Sequence, residues 1–278
     1  GQYEWVLLEL DRLQALGVQA VTVQVSFPLL YRPFHGDSAT YTAYLAFYRK
    51  LASEIHRRGL KLILKSQALF SKGGWSELPV AAFYQGLSFA QYLAGRRDVI
   101  VTIARELHPD YLSIQMEPDT EAAQTGQPMN NVRNSLQLIK GILRGLKEAG
   151  IHGISVGAGV GTWHPRYRQF VWALAKFTDL DYLDIHVYPV NRDFLDRVVT
   201  MANVAQRHGK RVAMSEAWLY KAKTAELGRG MTAEEIYTRD AFSVWEPLDE
   251  KFLTIMVRLA SREHFEFFSP FWTRYFYA

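Results

Sequence analysis

The 278-residue chain contains no cysteine. Disulfides, thiolate metal sites and a cysteine nucleophile are therefore excluded. No apolar run approaches the roughly 18 residues that a membrane-spanning helix needs, so no contact with a membrane is expected. The chain opens on a helix-like pattern rather than on a charged stretch followed by an apolar one, so no export signal is expected, and the compartment stays open. Blocks of like charge are missing as well. Lys and Arg number 32 against 28 Asp and Glu, and the net charge of +4 is scattered over helix-like segments. Such charges read as solvated faces, not as a nucleic-acid footprint. The first predicted strand is followed by no glycine-rich phosphate loop, which argues against a dinucleotide-binding sheet.

What the chain has is apolar and aromatic surface: hydrophobic residues make up 49% of the chain and aromatic residues 14%. That suffices for one large core, and a single domain over residues 1–278 is expected. Apolar spacing predicts helices over 5–16, 40–58, a long region reaching His108-Pro109, 130–149, 169–177, 193–208 and 250–262. Period-two alternation predicts strands over 18–27, 60–69, 110–117, 152–161, 182–189, 211–218 and 265–272. Thr232 to Glu235 has capping-box spacing inside a long loop after the sixth strand. Unbroken alternation of strand and helix calls for a parallel sheet with helical crossovers. Of the two architectures that satisfy it, the (β/α)8 TIM barrel is favoured over a doubly wound sheet, because polar residues gather at the carboxyl ends of several strands. Seven strands are counted where a barrel has eight. The first strand and the last outer helix are not found within residues 1–278, so self-association or a complementing segment from elsewhere is expected.

The strand 110–117 ends in Glu117 and is stopped by Pro118, which has no amide proton for a ladder. Glu216 occupies the same kind of place, near the end of the strand 211–218. The alternation places Gln24, Ser26, Lys65, Gln67, Gln115, Glu117, Asp184, His186, Tyr188 and Glu216 on the inward side. A barrel interior is ordinarily filled by branched apolar side chains, so this much polarity is costly unless it is paired or used. Two carboxylates in a shared site separate in pKa, one staying protonated as an acid while the other stays charged. Phe27, Tyr31, Trp75, Trp163, Trp218 and Tyr220 follow strand ends and are candidates for stacking on a ligand. Asp119, Glu121 and His164 read as loop residues, the two acids as solvated charges.

Met116-Glu117-Pro118, His186-Val187-Tyr188-Pro189, Glu216 and Trp272, counted on a barrel's fourth, sixth, seventh and eighth strands, resemble the clan A retaining glycoside hydrolases, which include families 5, 39, 42 and 53. The resemblance covers nearly the whole chain in element order. It implies that Glu117 is the general acid/base and Glu216 the nucleophile, that Tyr188 hydrogen-bonds the nucleophile, that His186 lines the subsite beside the cleaved bond, and that Trp272 is the floor under the sugar. Gln67 stands where a histidine is common and keeps the ability to bond a sugar hydroxyl, while Trp163 and Trp218 join Trp272 as substrate contacts. A carbohydrate substrate is implied, with no cofactor and no metal. Two positions depart from the pattern: Met116 replaces the usual Asn before the acid/base, and Thr22 the usual Arg of the second strand. These departures point to a distant or atypical member.

Two other readings remain open. Glu117, Asp184, His186 and Glu216 could ligate a divalent ion in a sugar isomerase or epimerase, although no His-x-His spacing supports it. Alternatively the barrel binds carbohydrate without cleaving it.

Overall fold

The computed structural model describes residues 2–71, 78–226, 229, 235–236, 239 and 243–271. In chain order its named elements are α1 (Gln2–Ala15), β1 (Ala20–Gln24), α2 (Ser38–Arg57), β2 (Lys61–Lys65), α3 (Val80–Gln85), α4 (Phe89–Leu107), β3 (Tyr111–Ser113), α5 (Pro118–Thr125), α6 (Val132–Glu148), β4 (Ser155–Gly161), α7 (Tyr167–Ala175), β5 (Tyr182–Val187), α8 (Phe194–Arg207), β6 (Arg211–Ala217), α9 (Glu246–Arg262) and β7 (Phe268–Pro270). The strands form one sheet in the order β1 to β7. Pairs β1–β2, β2–β3, β3–β4, β5–β6 and β6–β7 are parallel. Sequential order, parallel pairing and helical crossovers together are the (β/α)8 barrel fold, with seven strands among the described residues.

The chain divides into two compact units: Gly1–Ala158 with Asp179–Asp181, and Gly159–Thr178 with Tyr182–Ala278. In the first, Leu62 and Leu64 of β2, Leu112 of β3, Ile55 of α2 and Ile100 and Ile103 of α4 are buried. Each such side chain contributes about 1.5–3 kcal/mol on leaving water. Helices α4 and α6 meet closely because Gly145 has no side chain; a Cβ there would lie 2.7 Å from Cγ of Arg97. All five residues of β1 are half-exposed, whereas four of the five in β2 are buried. That contrast marks β1 as an edge of the described sheet.

Several element bounds differ from those expected. The third strand was expected to reach Glu117, but the ladder ends at Ser113. Just beyond it the Ile114 amide still donates to the Gly157 carbonyl at 2.9 Å, while the side chain of Arg96, on α4, takes up carbonyls: its Nη2 donates to those of Ser66 and Ile114 at 3.0 and 2.7 Å. The long helical region before His108 is two helices. Ser88 ends the interruption and caps α4, with the reciprocal Ser88–Gln91 capping box in place. Pro118, read as a strand stop, is also the first residue of α5. Pro at that position loses no hydrogen bond and has φ already set for a helix. Helix α9 starts at Glu246, four residues before the expected 250. Thr232 lies outside the described residues.

In the second unit all six residues of β5 and all of β6 after Arg211 are buried. This is the pattern of parallel strands covered on both faces. Two glycines of β4 allow close approach. A Cβ on Gly159 would fall 1.5 Å from the Asp184 carbonyl oxygen, and one on Gly161 would fall 2.4 Å from the indole of Trp163. Strand β6 carries a bulge: Asp184 and His186, two apart on β5, pair with Ala213 and Glu216, three apart on β6.

Candidate active site

Glu117 belongs to the first unit. It is the residue just before α5, 6% exposed, and its carbonyl accepts the Glu121 amide at 2.9 Å. Gly126, at φ 72°, closes the helix in the left-handed region that a side chain disfavours. Beneath this turn lies a buried polar cluster. The Glu121 carboxylate accepts the Tyr92 hydroxyl at 2.5 Å and the Gln115 amide at 2.6 Å, and Arg96 Nε stands 3.4 Å from it. Burial, followed by the Glu121 charge, pushes the Tyr92 hydroxyl well above its ordinary pKa. Arg96 thus ties the Ile114 carbonyl to Glu121 and braces both ends of the segment carrying Glu117.

Glu121 was expected to be a solvated loop charge. At 2% exposure it is instead part of the interior. A signal was present in α4, where Tyr92, Arg96, Val99, Ile100 and Ile103 share one buried stripe. A guanidinium on such a stripe needs an anion or carbonyls. Gln115 bonds Glu121, and Met116 is fully buried. Gln67 is buried, and its Oε1 has no hydrogen-bond partner among the described residues. Phe27, expected as a stacking candidate, is a core residue, ringed by Tyr31, Phe83, Tyr84 and Tyr92 at centroid distances of 5.4, 6.1, 6.2 and 5.4 Å.

Glu216 belongs to the second unit and is 5% exposed near the end of β6. The Tyr188 hydroxyl donates to its Oε1, and His186 Nδ1 stands 4.0 Å from its Oε2. On its other side the imidazole is joined through Nε2 to Ser215 Oγ at 3.0 Å. Ser215 in turn donates its hydroxyl to Asp184 Oδ2 at 2.6 Å and its amide to Oδ1 at 3.0 Å. Strict alternation would send Ser215 and Glu216 to opposite faces. The bulge lets both consecutive side chains reach the same imidazole, and for that reason Ser215 escaped the sequence pattern.

Aromatic rings gather around Tyr188. Trp163, Trp218 and Tyr220 stand edge-on to it at 5.1, 6.3 and 6.2 Å. Trp163, Tyr188 and Tyr220 are half-exposed, while Trp218 is buried. Burial raises the pKa of the Tyr220 hydroxyl. His164 follows a turn but is fully buried, edge-on to Phe170 at 4.7 Å, with its Nδ1 accepting the Arg166 amide. Trp75 and Trp272 lie outside the described residues.

No protein-family model and no curated protein matches the chain. Solved structures do. Exo-β-1,4-mannosidase Op5Man5 from an Opitutaceae bacterium matches at a TM-score of 0.63 and 14% identity, over 96% of this chain and 47% of its own. GH5_18 from Bifidobacterium longum, in complex with Manβ1-4GlcNAc, matches at 0.65 and 15% identity, over 97% of this chain and 63% of its own. The GH113 β-mannanase AaManA from Alicyclobacillus acidocaldarius matches at 0.60 and 14% identity, over 96% and 80%. The chain spans about half and about two thirds of the first two. At such identities the likeness is one of backbone, and it shows that the chain has the barrel fold of these glycoside hydrolases.

Proposed function

We propose that the chain is a retaining β-glycoside hydrolase with Glu216 as nucleophile and Glu117 as general acid/base. The observation that carries this reading is the setting of Glu216: a buried carboxylate near the end of a strand, held by the hydroxyl of Tyr188, whose ring in turn meets the half-exposed rings of Trp163 and Tyr220. The Tyr188 bond holds the carboxylate in one orientation. Edge-on rings of Trp163 and Tyr188 present faces suited to the apolar side of a sugar. Glu117 matches it in kind, as a buried carboxylate that follows β3 on a braced turn.

In the proposed reaction Glu216 attacks the anomeric carbon while Glu117 gives its proton to the departing glycosidic oxygen. Water then enters and its oxygen bonds the anomeric carbon as Glu117 takes its proton, and the bond between Glu216 and the sugar breaks, restoring both carboxyl groups. Retaining enzymes of this kind separate the two carboxyl groups by about 5–5.5 Å. Gln67, His186, Trp163, Trp218 and Trp272 are proposed to contact the sugar. The names of the three structural neighbours make β-mannosides the first substrates to try.

A panel of aryl β-glycosides assayed with wild type, Glu117→Gln and Glu216→Gln tests the proposal. Each variant is expected to lose at least about a hundredfold in kcat. Azide is expected to restore turnover of a Glu216→Ala variant with inverted product, and of a Glu117→Ala variant with retained product. Wild type that binds glycans without hydrolysing any, unchanged by Glu216→Ala, would leave the non-catalytic barrel.

A further inference from the structure

The reaction proposed above makes no use of Asp184, which is fully buried on β5 one residue pair before His186. Its two oxygens accept the hydroxyl and the amide proton of Ser215. A serine hydroxyl has one proton to give, and an ionised carboxylate has none. With that proton directed to Asp184, Ser215 Oγ meets His186 Nε2, 3.0 Å away, as an acceptor. Nε2 therefore carries the proton of the neutral ring. Nδ1, the nitrogen 4.0 Å from Glu216 Oε2, is then the one without it.

We propose that Asp184 is a positioning residue: acting through Ser215, it holds His186 in the Nε2–H tautomer and turns a lone pair, not an N–H, toward Glu216. The tautomer follows from the hydrogen bonds alone, and only its consequence for turnover rests on Glu216 being the nucleophile. An N–H at Nδ1 would draw Oε2 toward the ring while Tyr188 holds Oε1, and would stabilise by a second hydrogen bond the charge that must attack carbon. A lone pair there leaves Glu216 oriented by Tyr188. The bulge in β6 is what makes the relay possible, because it brings Ser215 and Glu216 to two sides of one imidazole.

The test is long-range proton–nitrogen NMR at neutral pH on protein with labelled histidine, His186 being assigned by its loss in His186→Gln. Wild type is expected to show a protonated Nε2 and a bare Nδ1. In Asp184→Asn the amide nitrogen would donate to Ser215 Oγ, whose proton would swing to Nε2, so the ring is expected to invert to Nδ1–H. Ser215→Ala removes the relay atom, and a mixture of tautomers is expected. Both variants are expected to lose about ten- to a hundredfold in kcat with KM little changed, by analogy with the scale known for partners that orient a metal-bound histidine. A wild-type His186 that is Nδ1–H or doubly protonated at neutral pH overturns the proposal, and that spectrum decides even if neither variant folds. Folded variants that both keep Nε2–H overturn it too. The expected tautomers in a protein that cleaves no glycoside would sustain the relay and dismiss the hydrolase.

Discussion

Arg96 shows how far a single side chain governs the setting of Glu117. Its guanidinium is fully buried, with Nη2 on two carbonyls and Nε near Glu121. Removing one member of a buried pair leaves an uncompensated charge, which costs about 3–5 kcal/mol, far more than the pair itself contributes. Arg96→Met and Glu121→Gln are each expected to destabilise on that scale, measured by urea denaturation. The double variant is expected to lose less than the sum of the two, since neither charge is then stranded. The sequence placed the Glu117 carboxylate at the very end of its strand and read its neighbour Glu121 as solvated. Glu121 is four residues from Glu117 along an eight-residue helix, and its burial is decided by α4, distant in sequence.

At the scale of elements, boundaries were legible where a residue type has one mechanical use. Gly17, Gly59, Gly150 and Gly209, each just past the end of an apolar helical pattern, all have positive φ. Ser88–Gln91 and Pro118 carried start signals that the apolar pattern obscured, and the β6 bulge leaves no mark in the sequence at all. The segment between β6 and α9 shows a further device without an apolar signature. Arg239 donates to both oxygens of Glu226 at 2.9 and 3.0 Å, and the Lys223 amide donates to the same carboxylate. The Arg239 hydrogen bonds, more than any other influence, lower the Glu226 pKa to about 2 from 4.5. A carboxylate with a depressed folded pKa contributes stability that is complete above about 4.5 and vanishes as pH falls through about 2. The stability advantage of wild type over Glu226→Gln is thus expected to stay constant at neutral pH and shrink through that acid window. Denaturant midpoints over a pH series measure it. The pair is half-exposed to water, so 1 M salt is expected to diminish the advantage as well.

At the scale of the molecule, the fold was legible because strand and helix alternate with one period each, and parallel strands joined by helices admit few arrangements. The candidate chemistry was legible only as residue types at strand ends. Which of them bond one another depends on bulges and on buried partners such as Asp184 and Ser215. Those partners also bear on the rival reading, in which Glu117, Asp184, His186 and Glu216 hold a divalent ion. Asp184 has both oxygens engaged by Ser215, and His186 commits Nε2 to the same serine. Recruiting Asp184 to a metal would break the bonds that hold Ser215 and the imidazole in place. A glycosidase of the proposed kind needs only carboxylates for its proton transfer and covalent step. Hydrolysis of an aryl β-glycoside is accordingly expected to be unchanged after exhaustive chelation and unaffected by added magnesium, manganese or zinc at stoichiometric levels. Hydrolysis that disappears on chelation and returns with one of these ions would overturn the two-carboxylate mechanism in favour of a metal site, and interconversion of free sugars that depends on such an ion would favour the isomerase reading.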